Sequence, residues 1–320
     1  MHLNIATDCS GIETPIMALD EMGVNYTHIW SCDNDKKVKK FIRTNFSPLY
    51  YFDDISDREL PNMEKGEIDI YVAGFPCQSF SSLGNNKGFK DKIKGTVYYH
   101  VYNTIASIVP KVFILENVKH LVNHNKGKTF NVILESLNQL DLYDIHYEVL
   151  NTMDYGVPQS RSRIYIIGIL KDFNVEFNFP EKIPTPKVFD YLQPEFDQYE
   201  SEPEQLSERN ISLLKQIVNK YPDIDWIKEQ RIINIGVSSI EWFRIGKPYI
   251  SPCLTTSPKF LIPARQRFLK PLEALKLQAI PYENYDFSDF SSNEIFKFAG
   301  NSMSVNLLIN IFTQIFNAKL

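Results

Sequence analysis

Short apolar runs alternate with stretches in which apolar residues recur at helical spacing. Residues 3–7 are apolar up to Asp8, Ser10 and Gly11, and Ile16, Met17, Leu19 and Met22 then mark one face of a helix. A second run, 27–31, ends in Asp33 and Asp35 and leads into a basic helix through Val38, Phe41 and Ile42. Further strands are predicted at 68–73, 112–115, 145–150 and 164–170, with helices at 97–109 and 130–140. Near-continuous apolar strands separated by helices predict an α/β fold, a doubly wound, mostly parallel sheet covered on both faces. After Phe179 the rhythm breaks: Pro180, Pro184, Pro186, Pro194 and Pro203 punctuate an acidic stretch that cannot continue a buried sheet. A second, smaller and irregular domain is predicted from there, with a capped helix at 207–220 and short strands and turns over 232–263. The chain then returns to an amphipathic helix over 304–316.

Composition narrows the function. The chain has 320 residues, 43% hydrophobic, and a net charge of −5, which excludes disorder and argues against a general coat of positive charge for polyanions. Its four cysteines, Cys9, Cys32, Cys77 and Cys253, form no CxxC pair, so neither a zinc site nor a secreted disulfide framework is expected. The start carries no signal-type segment and no run spans a membrane, so a cytoplasmic protein is expected, in a bacterial cell or a virus-infected host.

Candidate chemistry lies at strand ends, where an open α/β sheet binds ligands. The first turn, Asp8-Cys9-Ser10-Gly11-Ile12-Glu13, has one glycine and is a poor dinucleotide fingerprint, but Asp33, 25 residues on, is a plausible partner for ribose hydroxyls. Asp54 and Ile55 follow a third strand. Gly74-Phe75-Pro76-Cys77-Gln78-Ser79-Phe80-Ser81 puts a cysteine in a loop at a strand end, a place suited to a nucleophile as well as to an inert thiol. Glu116-Asn117-Val118 puts a carboxyl at the next strand's end, and alternation sends Arg161 and Arg163 to the same side. Glu116, His120 and His124 repeat every four residues, but Glu116 closes a strand and HExxH is absent, so no metal is expected.

The order GFPCQSFS, ENV, QSRSR, RFLKPLEALKLQAIP, and Gly300-Asn301-Ser302 resembles the DNA cytosine-5 methyltransferases of compact bacterial and viral type. The resemblance covers 3–170 and 267–316, leaving the middle lobe. It implies a methyl donor, S-adenosylmethionine, and duplex DNA as substrate. It further implies Cys77 as nucleophile on carbon 6 of a flipped cytosine, Glu116 as acid at ring nitrogen 3, and Arg163, with Arg161, holding the base oxygen. The cofactor would meet Ser10, Gly11, Ile12, Asp33, Asp54, Ile55, Pro76, Asn301 and Met303. Ser81, Lys87, Lys94, Gln159, Thr255 and Thr256 would face DNA, with Lys259, Arg265, Arg267 and Lys270 as a basic border of the cleft. Residues 1–180 with 295–320 would form the cofactor-binding catalytic domain and 181–294 the target-recognition domain. The chain departs from the common pattern at Cys9, Glu13, Thr14, Asp33 and Cys253-Leu254. A tRNA methyltransferase and a non-catalytic DNA binder of the same fold are the alternatives. A monomer is expected, with a cognate restriction endonuclease as a separate protein rather than a subunit.

Overall fold

The computed structural model describes residues 2–76, 97–192, 206–236, 243–257 and 259–318. Strand and helix alternate as β1 (His2–Asp8), α1 (Thr14–Glu21), β2 (Asn25–Cys32), α2 (Lys36–Asn45), β3 (Tyr50–Phe52), β4 (Ile70–Ala73), α3 (Val97–Ile108), β5 (Val112–Val118), α4 (His120–Asn123), α5 (Lys128–Asn138), β6 (Tyr143–Asn151), β7 (Gln159–Ser160) and β8 (Ser162–Leu170). Seven of these strands form one sheet in the order β3-β2-β1-β4-β5-β8-β6. The pairs from β3 through β5 are parallel, whereas β5 and β8 run antiparallel. The chain leaves β1 toward β2 on one side and reaches β4 on the other, so the order reverses between β1 and β4. That crevice, at the carboxyl ends of the strands, is where such sheets bind ligands.

Apolar runs become strands here because helices on the faces remove both sides from water; all four residues of β4 are buried. Trp30, Tyr71, Tyr98 and Phe113 are among the largest fully buried side chains, each stabilising the fold by about 2–3 kcal/mol. Phe113 sits opposite Gly168 in the β5–β8 register, and a Cβ at Gly168 would lie 2.2 Å from its ring, so only glycine fits.

The chain divides into two compact units, one formed by Met1–Leu150, Ser162–Glu181 and Leu307–Leu320, the other by Asn151–Arg161 and Lys182–Asn306. The second unit holds β9 (Ile233–Asn234), β10 (Arg244–Ile245), β11 (Ser251–Pro252), β12 (Phe260–Ile262) and β13 (Arg267–Phe268). Its helices are α6 (Val188–Tyr191), α7 (Glu208–Lys220), α8 (Pro271–Lys276) and α9 (Ser292–Asn301), followed by the start of α10 (Val305–Asn317). β10-β9-β12-β13 form an antiparallel sheet, and β11 pairs with β7. Its small core gathers Ile217, Trp226, Ile233, Ile235 and Leu261. Ser207 caps α7 by accepting from the Asn210 N–H at 3.4 Å. Gly300 and Asn301 close α9, with Ser302 as its C-cap, because the Ser302 N–H and hydroxyl both return to the Phe298 carbonyl.

Candidate active site

The turn after β1 alternates into left-handed backbone at Cys9, Gly11 and Glu13, with φ of 49°, 53° and 62°. Side chains hold this unusual turn. Glu13 is fully enclosed and accepts from the hydroxyls of Thr7 at 2.8 Å and Ser31 at 2.5 Å, bridging β1 and β2. Burial pushes its carboxyl up to about 8, against the opposing effect of those hydroxyls. Neighbouring His28 is driven down to about 4 by the same desolvation, so at neutral pH both are uncharged and their 3.7 Å approach is no ion pair. Ser10 faces β2: its hydroxyl lies 3.1 Å from that of Ser31, and its N–H donates to Cys32. Ile12 is buried, so only its backbone borders the turn.

The Gly11 N–H donates to Asp33 Oδ2 at 2.9 Å, and the Asp35 N–H donates to Oδ1 at 2.9 Å. Asp33 is thereby oriented at the end of β2, and Tyr51 secures its carbonyl at 2.8 Å. A Cβ built on Gly11 would meet no atom within 4 Å, so the turn is open beside this glycine. An oriented carboxylate beside a glycine facing open space fits the ribose of an adenosine cofactor, whose hydroxyls it can accept. Asp54 is exposed two residues beyond β3 and closes a turn by accepting from the Ser56 N–H at 2.8 Å and its hydroxyl at 2.6 Å; these bonds hold its carboxyl below the usual range. Ile55 is half-buried and Pro76 exposed.

At the end of β5, Glu116 and Arg163 meet, with Nε 3.0 Å from Oε1 and both side chains mostly covered. The β5–β8 register brings them together, pairing Glu116 with Tyr165 and Val118 with Arg163. Asn117, to which the sequence assigned no role, is buried and donates to the Phe75 carbonyl at 2.6 Å. On the other flank the Gly74 N–H donates to the Asp8 carbonyl at 3.3 Å. The backbone leading toward Cys77 is thus held from β1 and β5. The signal for Asn117 was a polar residue directly after an apolar strand beside the candidate acid. Cys77, Ser81, Lys87 and Lys94 lie outside the described residues.

Arg161 and Arg163 do not share partners, despite their alternation. Arg161 precedes β8 and belongs to the second unit, where it is buried and donates to the carbonyls of Leu254 at 3.3 Å, Gly300 at 3.1 Å and Ser302 at 2.8 Å. This geometry ties chain segments together. Gln159, expected to face DNA, is instead fully buried: it donates to the Leu277 carbonyl at 2.6 Å and accepts from the Leu254 N–H at 2.8 Å. Both are drawn inward because the carbonyls of a crowded, irregular lobe need donors. Thr255 is half-buried and Thr256 exposed, and the peptide between them crosses Gly300 closely enough that a Cβ there would lie 2.5–2.7 Å away. Asn301 is exposed and Met303 buried in the same unit. The expected basic border is partly neutralised, because Arg267 makes a two-pronged pair with buried Glu273, both bonds 2.8 Å, and Arg265 lies 3.7 Å from the same carboxylate. Among the described residues no group of histidines, cysteines or carboxylates is arranged to hold a metal. His120 opens a short helix after β5, so Glu116, His120 and His124 do not share a helical face.

A reversing, mostly parallel sheet with an acidic residue oriented at the second strand's end places the chain in the class of doubly wound α/β proteins built to bind adenosine-type cofactors. The fold is similar to that of the Schizosaccharomyces pombe Dnmt2 methyltransferase, with a TM-score of 0.64 at 16% identity over 99% of each chain. The C-5 cytosine-specific DNA methylase family matches residues 7–317, and the chain belongs to that family. It is 34% identical over 298 residues to the Type II methyltransferase M.NgoBI of Neisseria gonorrhoeae, covering 88% of this chain and 84% of that one. It is 30% identical over 334 residues to the Type II methyltransferase M.Bsp6I of Bacillus sp. strain RFL6, covering 99% and 100%. The protein is therefore an enzyme, a DNA cytosine-5 methyltransferase that uses S-adenosylmethionine.

Proposed function

We propose that the chain methylates carbon 5 of a cytosine flipped from duplex DNA, with Cys77 as a transient covalent nucleophile. Carbon 5 is too weak a nucleophile until a thiolate adds at carbon 6. Glu116 in its acid form donates a proton to ring nitrogen 3 as the thiolate adds, and Arg163 holds the base oxygen and orients Glu116. S-adenosylmethionine supplies the methyl group. Loss of the carbon-5 proton to water, with the nitrogen-3 proton returning to Glu116, then expels the Cys77 thiolate and restores the aromatic ring. The observation carrying this reading is the 3.0 Å Glu116–Arg163 contact at the end of the strand adjacent to the one leading to Cys77. The cofactor would be held by Asp33 with the backbone at Ser10, Gly11 and Ile12, flanked by Asp54, Ile55 and Pro76. Arg161 is read as an anchor of the second unit rather than a contact to the base.

The 1–180 and 295–320 segments would carry cofactor binding and chemistry, and the 181–294 lobe would read the target through its Thr255–Thr256 segment. Lys87 and Lys94 would meet phosphates, which supply affinity without sequence information. The Type II names of the relatives support a role beside a separate restriction endonuclease, and the methyltransferase would act as a monomer in the cytoplasm of a bacterial or virus-infected cell. Transfer of labelled methyl groups to duplex DNA, with tRNA as the parallel substrate, tests the reading. Cys77→Ser should abolish transfer while DNA binding persists. Full turnover by Cys77→Ala would refute the covalent route, and exclusive labelling of tRNA would refute the substrate.

A further inference from the structure

Asp8, the last residue of β1, carries a fully enclosed carboxylate, and its charge is met by Arg58, whose side chain is 3% exposed. The guanidinium grips both carboxylate oxygens; Trp30 Nε1 donates to Oδ1 at 3.0 Å and the Tyr71 hydroxyl to Oδ2 at 2.6 Å. Arg58 also donates to the Thr104 hydroxyl on α3 at 2.9 Å, and its guanidinium lies 5.6 Å from the Trp30 ring and 5.5 Å from that of Phe52. One side chain from the segment after β3 is therefore fixed by β1, β2, β3 and α3.

Stability alone does not account for this arrangement. Burying an ion pair costs desolvation that its attraction roughly repays, so an uncharged packing of similar volume holds a core as well. Direction is what the pair adds: its parallel bonds fix the plane of the guanidinium and hence the path of the chain at Arg58. Four residues earlier lies Asp54, with Ile55 beside it, in the turn closed by Ser56. The same Asp8 receives the Gly74 N–H on its main-chain carbonyl.

We infer that the Asp8–Arg58 pair is a positioning device for the methyl donor, locking the segment that carries Asp54 and Ile55 against the ends of β1 and β2. The inference rests on the reading of Asp33, Asp54 and Ile55 as cofactor contacts. Arg58 and Asp8 act through that segment and touch no reacting atom.

The test is the full-length double variant D8N/R58M. Asparagine retains an acceptor for Trp30 and a donor toward the Tyr71 oxygen, and methionine refills the space beside Trp30 and Phe52. Titration calorimetry with S-adenosylhomocysteine should show affinity at least tenfold weaker than the wild type. Steady-state assays on duplex DNA should show KM for S-adenosylmethionine rising by a similar factor, with kcat within threefold. Binding within twofold of the wild type by a cooperatively melting double variant overturns the inference. R58K, which keeps the charge but loses the fork, serves if the double variant does not fold; it should weaken binding by severalfold, and unchanged affinity again overturns the proposal. D33N separates the two levels. Affinity lost in D33N but kept in D8N/R58M defeats the positioning role alone, whereas affinity kept in D33N defeats the cofactor reading and this inference with it.

Discussion

Replacing Glu13 by glutamine should remove a pH dependence from the stability of the protein. The fully enclosed carboxyl rises from an ordinary 4.5 to about 8 chiefly through desolvation, so the folded chain retains a proton that the unfolded chain releases above 4.5. A raised acid contributes stability that is complete below its unfolded value and is lost as pH climbs toward its folded value. At about 1.4 kcal/mol per pH unit the whole span corresponds to about 5 kcal/mol, an upper figure because buried sites relax. Below pH 6.5 the effect is masked. His28, lowered from 6.5 to about 4, adds stability as pH rises through that interval and opposes Glu13 there. The clean window therefore runs from pH 6.5 to 8, where Glu13 should cost the wild type about 2 kcal/mol of unfolding free energy. Glutamine keeps an oxygen for the Thr7 and Ser31 hydroxyls and does not ionise. Urea unfolding followed by tryptophan fluorescence at pH 6.5, 7.2 and 8.0, for wild type and E13Q, measures the difference in slope. Parallel slopes, agreeing within about 0.5 kcal/mol across the window, would refute the argument that Glu13 is protonated in the fold.

Gly168→Ala forces a Cβ to within 2.2 Å of the Phe113 ring, and melting should reveal a loss of about 1–3 kcal/mol. Asn117→Ala leaves the buried Phe75 carbonyl without its donor, so methyl transfer should fall more than cofactor affinity does; an equal fall in both would count against a role in placing the 74–76 backbone. Arg163→Lys removes the guanidinium Nε that reaches Glu116 and should lower kcat by about tenfold or more with DNA affinity little changed, measured by single-turnover transfer and gel shift. Arg161→Met removes the donor to three buried carbonyls and should lower the melting temperature sharply, whereas a stable variant defective only in transfer would return Arg161 to the base.

The alternation of apolar runs determined the sheet: β1, β2, β4, β5 and β8 lie within a few residues of where the pattern puts them, because a strand covered on both faces must be largely apolar, and β6, a half-exposed edge strand, is found at its predicted place as well. The order of short motifs determined the family, and position at strand ends singled out Asp33 and Glu116, since such turns are where an open sheet exposes its chemistry. Tertiary structure decided which distant groups each of the polar residues meets. Arg161 and Arg163 are two positions apart in sequence, yet one serves carbonyls as distant as Ser302 and the other pairs with Glu116. Gln159 disappears into a carbonyl network, and Asp8 finds Arg58 fifty residues away. Alternation registers burial, a property of each position and its neighbours. A donor's partner is set by which distant segments the fold brings within about 3 Å, and no local pattern encodes that.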